Sequence, residues 1–136
     1  MTNQEFEQIK IIAEKKLFFN EDNFQGKLSE VPLIYDTFLK LFIKEHKVLQ
    51  NMKLKKDIKY ADLYRNLKFN SDIRLENKHE IENQMFSDIS YQRIVSDIND
   101  QQEIVTFLEQ TLENVKNLSF AIRNYIDWRK FLEAER

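Results

Sequence analysis

The chain has 136 residues, of which 42% are hydrophobic and 32% are charged, and its formal net charge is −2. It contains one glycine, one proline and no cysteine, which argues against a turn-rich β-sheet fold and excludes disulfides and thiolate metal sites. A single glycine also excludes the glycine-rich loops of nucleotide-binding proteins. No apolar run approaches the roughly 18 residues of a membrane span, so we expect one soluble, intracellular, all-α domain over residues 1–136.

The N-terminal half predicts two helices. A capping-box pattern followed by helical spacing predicts a first helix over residues 2–16. Residues 20–27 surround the single glycine and are expected to form a loop. Ser29 is a candidate N-cap for a second long helix at residues 30–68, with Pro32 tolerated in its first turn. Residues 1–69 thus form the N-terminal helical part of the predicted domain.

A polar connection follows at residues 70–87. It contains a candidate turn at residues 70–72 and a candidate short helix near residues 80–86. Ser87 or Asp88 is then placed to cap a long C-terminal helix. The pattern predicts long helices arranged as helical hairpins.

The C-terminal region, residues 88–136, carries a stripe of residues spaced alternately by three and four over residues 91–126, the spacing of a coiled-coil heptad repeat. Only Gln101 and Ser119 in this heptad stripe are polar. The stripe needs a partner helix, from a second copy or from the same chain, and its length favours self-association. A break in the helix at residues 117–119 stays open. The residues assigned to subunit contacts are Ile94, Ile98, Val105, Leu108, Leu112, Val115, Ile122 and Ile126.

Charge is distributed unevenly along the chain. Residues 1–39 carry a net charge of −3 and residues 69–136 a net charge of −5, whereas residues 40–68 carry nine basic and three acidic side chains, a net charge of +6. Basic side chains neutralise phosphates and aromatic rings stack on unpaired bases. The alternative is a solvated lysine face whose tyrosines belong to the core. The candidate DNA contacts in this segment are Lys53, Lys55, Lys56, Lys59, Tyr60, Tyr64, Arg65 and Lys68.

The sequence offers little for catalysis or metal binding. Its two histidines, His46 and His79, stand far apart along the chain and have no cysteine to complete a ligand set. No pair of carboxylates is marked for acid–base chemistry. We therefore expect no catalytic residue, no metal site and no cofactor.

The C-terminal residues carry a resemblance to a known family. Residues 119–131 read Ser-Phe-Ala-Ile-Arg-Asn-Tyr-Ile-Asp-Trp-Arg-Lys-Phe. They resemble the signature that ends the UvsY family of tailed-phage recombination mediators: Ser/Gly-Phe-x-Ile-Lys/Arg-x-x-Ile, then an acidic residue, Trp or Met, Arg, one further residue and Phe. Residues 108–112 are also similar to family members, and the order of the predicted helices agrees. Trp128 and Phe131 within the signature are expected to pack as aromatic anchors.

The resemblance implies a small all-helical protein that forms a ring-shaped homo-oligomer through its C-terminal part. It implies a non-enzymatic mediator that binds single-stranded DNA without sequence specificity. Such a protein helps load a recombinase onto strands covered by single-strand-binding protein, in DNA recombination, repair and replication in the cytoplasm of an infected host cell. The competing interpretation is a coiled-coil adaptor or assembly chaperone with no DNA binding.

The DNA-binding segment of a well-known family member is matched only in part. That member carries Leu-Lys-Ala-Arg shortly before an aromatic-Gly turn, and its Lys and Arg are implicated in DNA contact. Residues 63–66 of this chain read Leu-Tyr-Arg-Asn, and residues 69–71 read Phe-Asn-Ser without the glycine. Arg65 and Lys59 are therefore the nearest counterparts of that member's basic pair.

Overall fold

A computed structural model describes residues 1–70 and 77–135 of the chain. No β-strand occurs among these residues, so the predicted all-α class is confirmed. Residues 71 and 72 of the predicted turn, and residues 71–76 of the polar connection as a whole, lie outside the described residues. The helices are α1 (Asn3–Leu17), α2 (Phe24–Arg65), a π-helical turn (Asn66–Asn70), α3 (Lys78–Phe86) and α4 (Ile89–Ala134).

Helix α1 begins with the predicted capping box. The backbone N–H of Glu5 donates to Thr2 Oγ1 at 3.1 Å, and the backbone N–H of Thr2 donates to Glu5 Oε2 at 3.4 Å. Two donors that the first helical turn leaves without intrahelical partners are thereby satisfied. The predicted extent of this helix is confirmed to within one residue at its C-terminal end.

Helix α2 begins at Phe24, six residues earlier than predicted. Two asparagines form the turn before it. Asn20 Oδ1 accepts hydrogen bonds from the backbone N–H groups of Asp22 (3.0 Å) and Asn23 (3.1 Å), and Asn23 Oδ1 accepts from the Asn20 N–H (2.7 Å). This reciprocal turn orients the chain so that the helix can start immediately after it.

The prediction of a loop that included Gly26 is wrong, because Gly26 and Pro32 both lie inside α2. Ser29 does not cap the helix; its hydroxyl donates to the backbone oxygen of Gly26 at 2.8 Å. A proline inside a helix costs roughly 3 kcal/mol and a glycine about 1 kcal/mol. The early start of the helix buries Phe24 against Leu118, and this apolar burial offsets part of that cost.

The described chain divides into two compact units. The first comprises Met1–Lys44 and Thr106–Arg136, and the second comprises Glu45–Val105. In the first unit Phe24, Leu118 and Ile122 form a buried cluster on which partly buried side chains pack. Helices α2 and α4 each contribute residues to both units. That residues 1–136 behave as one domain stays a prediction. The buried apolar residues of the second unit are Leu49, Ile81, Met85, Tyr91, Ile98, Ile104 and Val105.

The heptad stripe of α4 is covered largely by the chain itself. Ile94 and Ile126 are half-buried, and the other residues assigned to subunit contacts are buried. Ile104, Thr111 and Leu118 are buried as well, which widens the covered face beyond two positions per heptad. A face of this width is typical of a helix packed inside a globular unit rather than of a narrow coiled-coil contact. The intrachain alternative therefore accounts for the stripe, and subunit contacts through it stay a prediction.

Helix α4 runs without a break through residues 117–119. Its N-cap is Asp88, one of the two predicted candidates: Asp88 Oδ1 accepts from the backbone N–H of Tyr91 at 2.9 Å. The side chains of Trp128 and Phe131 are 56% and 61% exposed in the single chain, although the Trp128 ring lies 6.2 Å from the ring of Tyr125. That these residues pack as anchors stays a prediction.

Gln101, the first polar residue of the heptad stripe, lies in the core of the second unit. Its Nε2 donates to the carboxyl Oε2 of Glu45 at 2.8 Å and to the backbone oxygen of Glu45 at 2.9 Å. The two residues are 6% and 1% exposed. Buried polar groups are tolerated when each finds a partner, and this pair joins α2 to α4 at one defined register.

Candidate nucleic-acid interface

The basic residues of α2 surround the helix instead of forming one face. Lys53 and Lys55 are exposed, whereas Lys56 and Lys59 are half-buried. Residues two apart on an α-helix point in directions about 200° apart, so Lys53 and Lys55 cannot contact one short stretch of a straight strand together. Half-buried lysines cover apolar surface with their methylene stems while keeping the ammonium group wet. The exposed lysines are thus the freer candidates for phosphate contact.

Lys59 lies near the N-cap of α4. The pKa of Asp88 is lowered from its ordinary value, chiefly because the Ser90 hydroxyl donates to its carboxylate at 2.6 Å and the Tyr91 N–H donates at 2.9 Å. The positive charge of Lys59 lowers it further. The Lys59 ammonium therefore already lies within the electrostatic reach of a carboxylate.

Tyr60 has a structural hydrogen bond. Its hydroxyl donates to Glu82 Oε1 on α3 at 2.9 Å, and this bond is the main reason why the pKa of Tyr60 is raised from its ordinary value. The ring of Tyr60 stacks on that of Tyr64, with centroids 6.2 Å apart and an interplanar angle of 18°. Both rings are half-buried, so neither presents a fully open face to a base.

The C-terminal end of α2 and the π-helical turn bring basic and aromatic side chains together. The Lys68 ammonium lies 5.9 Å from the ring centroid of Tyr64 and 5.3 Å from that of Phe69. Arg65 and Lys68 are exposed, and the Phe69 side chain is 71% exposed. We name Tyr64, Arg65, Lys68 and Phe69 the aromatic corner. Phe69 was absent from the residues assigned to DNA; the signal that points to it is an aromatic next to a lysine at the end of a basic helix.

The described residues offer neither a metal-binding cluster nor a membrane-spanning helix. Over residues 1–70 and 77–135 no three or more acidic or histidine side chains group in a way that could hold a metal ion. Within those ranges no helix is both long and apolar enough to cross a membrane. The aromatic corner, together with the exposed Lys53 and Lys55 of α2, forms the candidate site.

Comparison with protein families identifies the chain. The model of a family described as "Recombination, repair and ssDNA binding protein UvsY" matches residues 4–134. The chain belongs to the UvsY family. The resemblance seen at residues 119–131 is thereby confirmed and extended to nearly the whole sequence of this UvsY-family protein.

Solved structures of the bacteriophage T4 recombination mediator protein UvsY have the same fold. The crystal form of lattice type IV aligns with a TM-score of 0.82 at 16% identity, covering 96% of this chain and 98% of that chain. Lattice type II gives 0.81 at 17% identity, with 98% of each chain covered. Lattice type I gives 0.76 at 16% identity, covering 91% of this chain and 98% of that chain. A comparison with curated proteins gives no match.

Proposed function

We propose that this UvsY-family protein is a recombination mediator that binds single-stranded DNA without sequence specificity and helps load a recombinase onto it. The observation that carries the proposal is the family match over residues 4–134, under a description that includes recombination, repair and binding of single-stranded DNA. The strand would be taken over from single-strand-binding protein in the cytoplasm of an infected host cell. The role is positional, so it needs no catalytic residue and no cofactor.

The exposed charges of α2 and of the π-helical turn after it support DNA binding. Residues 40–68 carry a net charge of +6, and Lys53, Lys55, Arg65 and Lys68 are exposed. Each phosphate contact releases condensed counterions and so contributes to affinity whatever the base sequence. With basic side chains on several sides of one helix, a single subunit offers a strand only a few contacts at once.

Assembly into a homo-oligomer would multiply these contacts. Linked copies bind a strand with an effective concentration that raises affinity above that of one subunit. If the buried heptad stripe forms subunit contacts, its side chains must first separate from the residues of the same chain that cover them. Phe120, Trp128 and Phe131 are each more than half exposed on α4, so we propose that these aromatics contribute to the subunit contacts.

Salt dependence tests the proposal. Fluorescence anisotropy of a labelled oligo-dT strand is measured against the protein over a range of salt concentrations. If about five phosphates are contacted, a slope of roughly −0.7 per contact predicts about 100-fold weaker binding at 200 mM than at 50 mM salt. Duplex of the same length should compete poorly.

Failure to bind oligo-dT at low salt, with the protein shown to be folded by circular dichroism, would refute the proposal. The adaptor interpretation would then be the better one. Loading is tested separately, by following recombinase assembly on a strand already covered with single-strand-binding protein, with and without this protein. A recombinase that assembles at the same rate in both cases would refute the mediator role while leaving DNA binding in place.

A further inference from the structure

The most exposed aromatic side chain among the described residues is Phe69, in the aromatic corner. It belongs to the π-helical turn Asn66–Asn70 that follows α2 directly. Short π-helical segments are frequent at functional sites. Exposing a large apolar ring at the end of a basic helix forgoes the stabilisation that its burial would bring, and nothing else in the described part of the chain covers it.

The rings of Tyr60 and Tyr64, which precede Phe69 in the chain, already have partners. Tyr60 is held by its hydrogen bond to Glu82, and Tyr64 stacks on Tyr60. The Lys68 ammonium makes cation–π contacts with the rings of both Tyr64 and Phe69. The aromatic corner therefore combines a half-buried ring, Tyr64, with a lysine ammonium and with one ring that is largely open to solvent.

We propose that Phe69 is a base-stacking residue, and that an unpaired nucleobase packs on its exposed ring while Lys68 and Arg65 contact the adjoining phosphates. This inference rests on the proposed binding of single-stranded DNA and names the subsite that takes the base. A phenyl ring offers a base no hydrogen bonds, so stacking on it discriminates little between bases. Bases in a duplex already stack on their neighbours, so the same ring also favours single strands.

The positive charge beside the Phe69 ring favours a nucleotide as the group that covers this ring. A second copy of the chain could also cover Phe69, but a subunit contact would bury Arg65 and Lys68 and would need acidic partners for both. A nucleotide satisfies the ring and the two cations together, because its base is flat and apolar on its faces and its phosphate is anionic.

The experiment separates base contacts from phosphate contacts. Binding is measured by anisotropy with two strands of equal length, oligo-dT and a strand of the same phosphate backbone made of abasic residues. Phe69→Ala is expected to weaken binding to oligo-dT by at least about fivefold, the lower end of what one base–aromatic stack contributes. Binding to the abasic strand is expected to stay unchanged, because no base is there to be lost.

Two variants act as controls. Phe18→Ala removes a phenylalanine that is 59% exposed in the other unit, and it should leave binding to both strands unchanged. Phe69→Trp keeps a flat aromatic face and should retain the preference for oligo-dT over the abasic strand. Sedimentation of each variant shows whether the assembly mass is that of the unmutated protein.

The outcomes are distinguishable. If the unmutated protein binds neither strand, the proposed function fails and this inference fails with it. If the protein binds DNA but Phe69→Ala binds both strands as before, or loses the same factor on both, only the stacking inference is overturned. A change of assembly mass in Phe69→Ala would show that the ring covers a neighbouring subunit, which also overturns it.

Discussion

The buried pair of Glu45 and Gln101 gives the most quantitative test of how the second unit is held together. In Gln101→Leu the Glu45 carboxyl loses the amide donor at 2.8 Å, and its backbone oxygen loses a second bond at 2.9 Å. A hydrogen bond to a carboxylate contributes about 1.5–3 kcal/mol and a neutral one about 1 kcal/mol. Because both residues are almost fully buried, water cannot replace the donor. The expected loss of unfolding free energy is about 3 kcal/mol.

A double variant, in which both Glu45 and Gln101 are replaced, tests the same reasoning more strictly. Glu45→Leu together with Gln101→Leu removes both polar groups and leaves no carboxyl buried without its donor. Replacing a buried polar pair by apolar side chains of similar volume is often nearly neutral. The double variant should therefore be more stable than Gln101→Leu alone by about 2 kcal/mol, a coupling of the size seen between residues in contact.

Urea denaturation followed by circular dichroism measures these differences. Thr111→Val serves as the matched control, since Thr111 is also buried but its hydroxyl donates only to the backbone oxygen of Phe107 within the same helix, at 2.8 Å. This control should lose less than about 1 kcal/mol. If Gln101→Leu unfolds at the same urea concentration as the unmutated protein, the carboxyl must find another partner or reach water. The structural role assigned to the pair would then be wrong.

Four other variants test the packing of α4, its exposed aromatics, its N-cap and the basic residues where α2 meets the π-helical turn. Leu112→Asp places a charge at a position that is 8% exposed, and calorimetry should show that the free energy of unfolding falls by about 4 kcal/mol. Trp128→Ala changes an exposed site, so this variant should fold normally but sediment as smaller particles. Asp88→Ala should lower the melting temperature at pH 7. The pKa of Asp88 in the folded state lies below its ordinary value of 3.8. The ionised side chain therefore stabilises the fold above pH 3.8, and this stabilisation is lost as the pH falls through the folded-state pKa. A difference in melting temperature between Asp88→Ala and the unmutated protein that persists below this pKa would contradict the assignment. Arg65→Ala with Lys68→Ala should reduce the salt slope of DNA binding by about 1.4, and an unchanged slope would remove both from the DNA contacts.

Local patterns in the sequence predicted most of the helices. The capping box at Thr2, the helix near residues 80–86 and the cap at Asp88 are all present. Each depends on hydrogen bonds between residues that are close together in the chain, and these are encoded locally. The uneven distribution of charge could also be read from the sequence, because counting charged residues requires no structure.

The start of α2 shows where local patterns were insufficient. Gly26 and Pro32 are punctuating residues, and by propensity they belong to a loop or a first turn. The helix includes both because Phe24 packs in a cluster with Leu118 and Ile122, residues that lie far along the chain. Propensity is a weak preference, and tertiary burial overrides it.

The helical class of this chain, the long apolar face of α4 and the basic character of residues 40–68 can all be read from the amino-acid sequence. What covers that face, which lysines are half-buried and the exposure of Phe69 beside Lys68 depend on how the helices pack. The reason is physical: periodicity and charge are properties of one helix, whereas solvent access depends on the elements that pack against it.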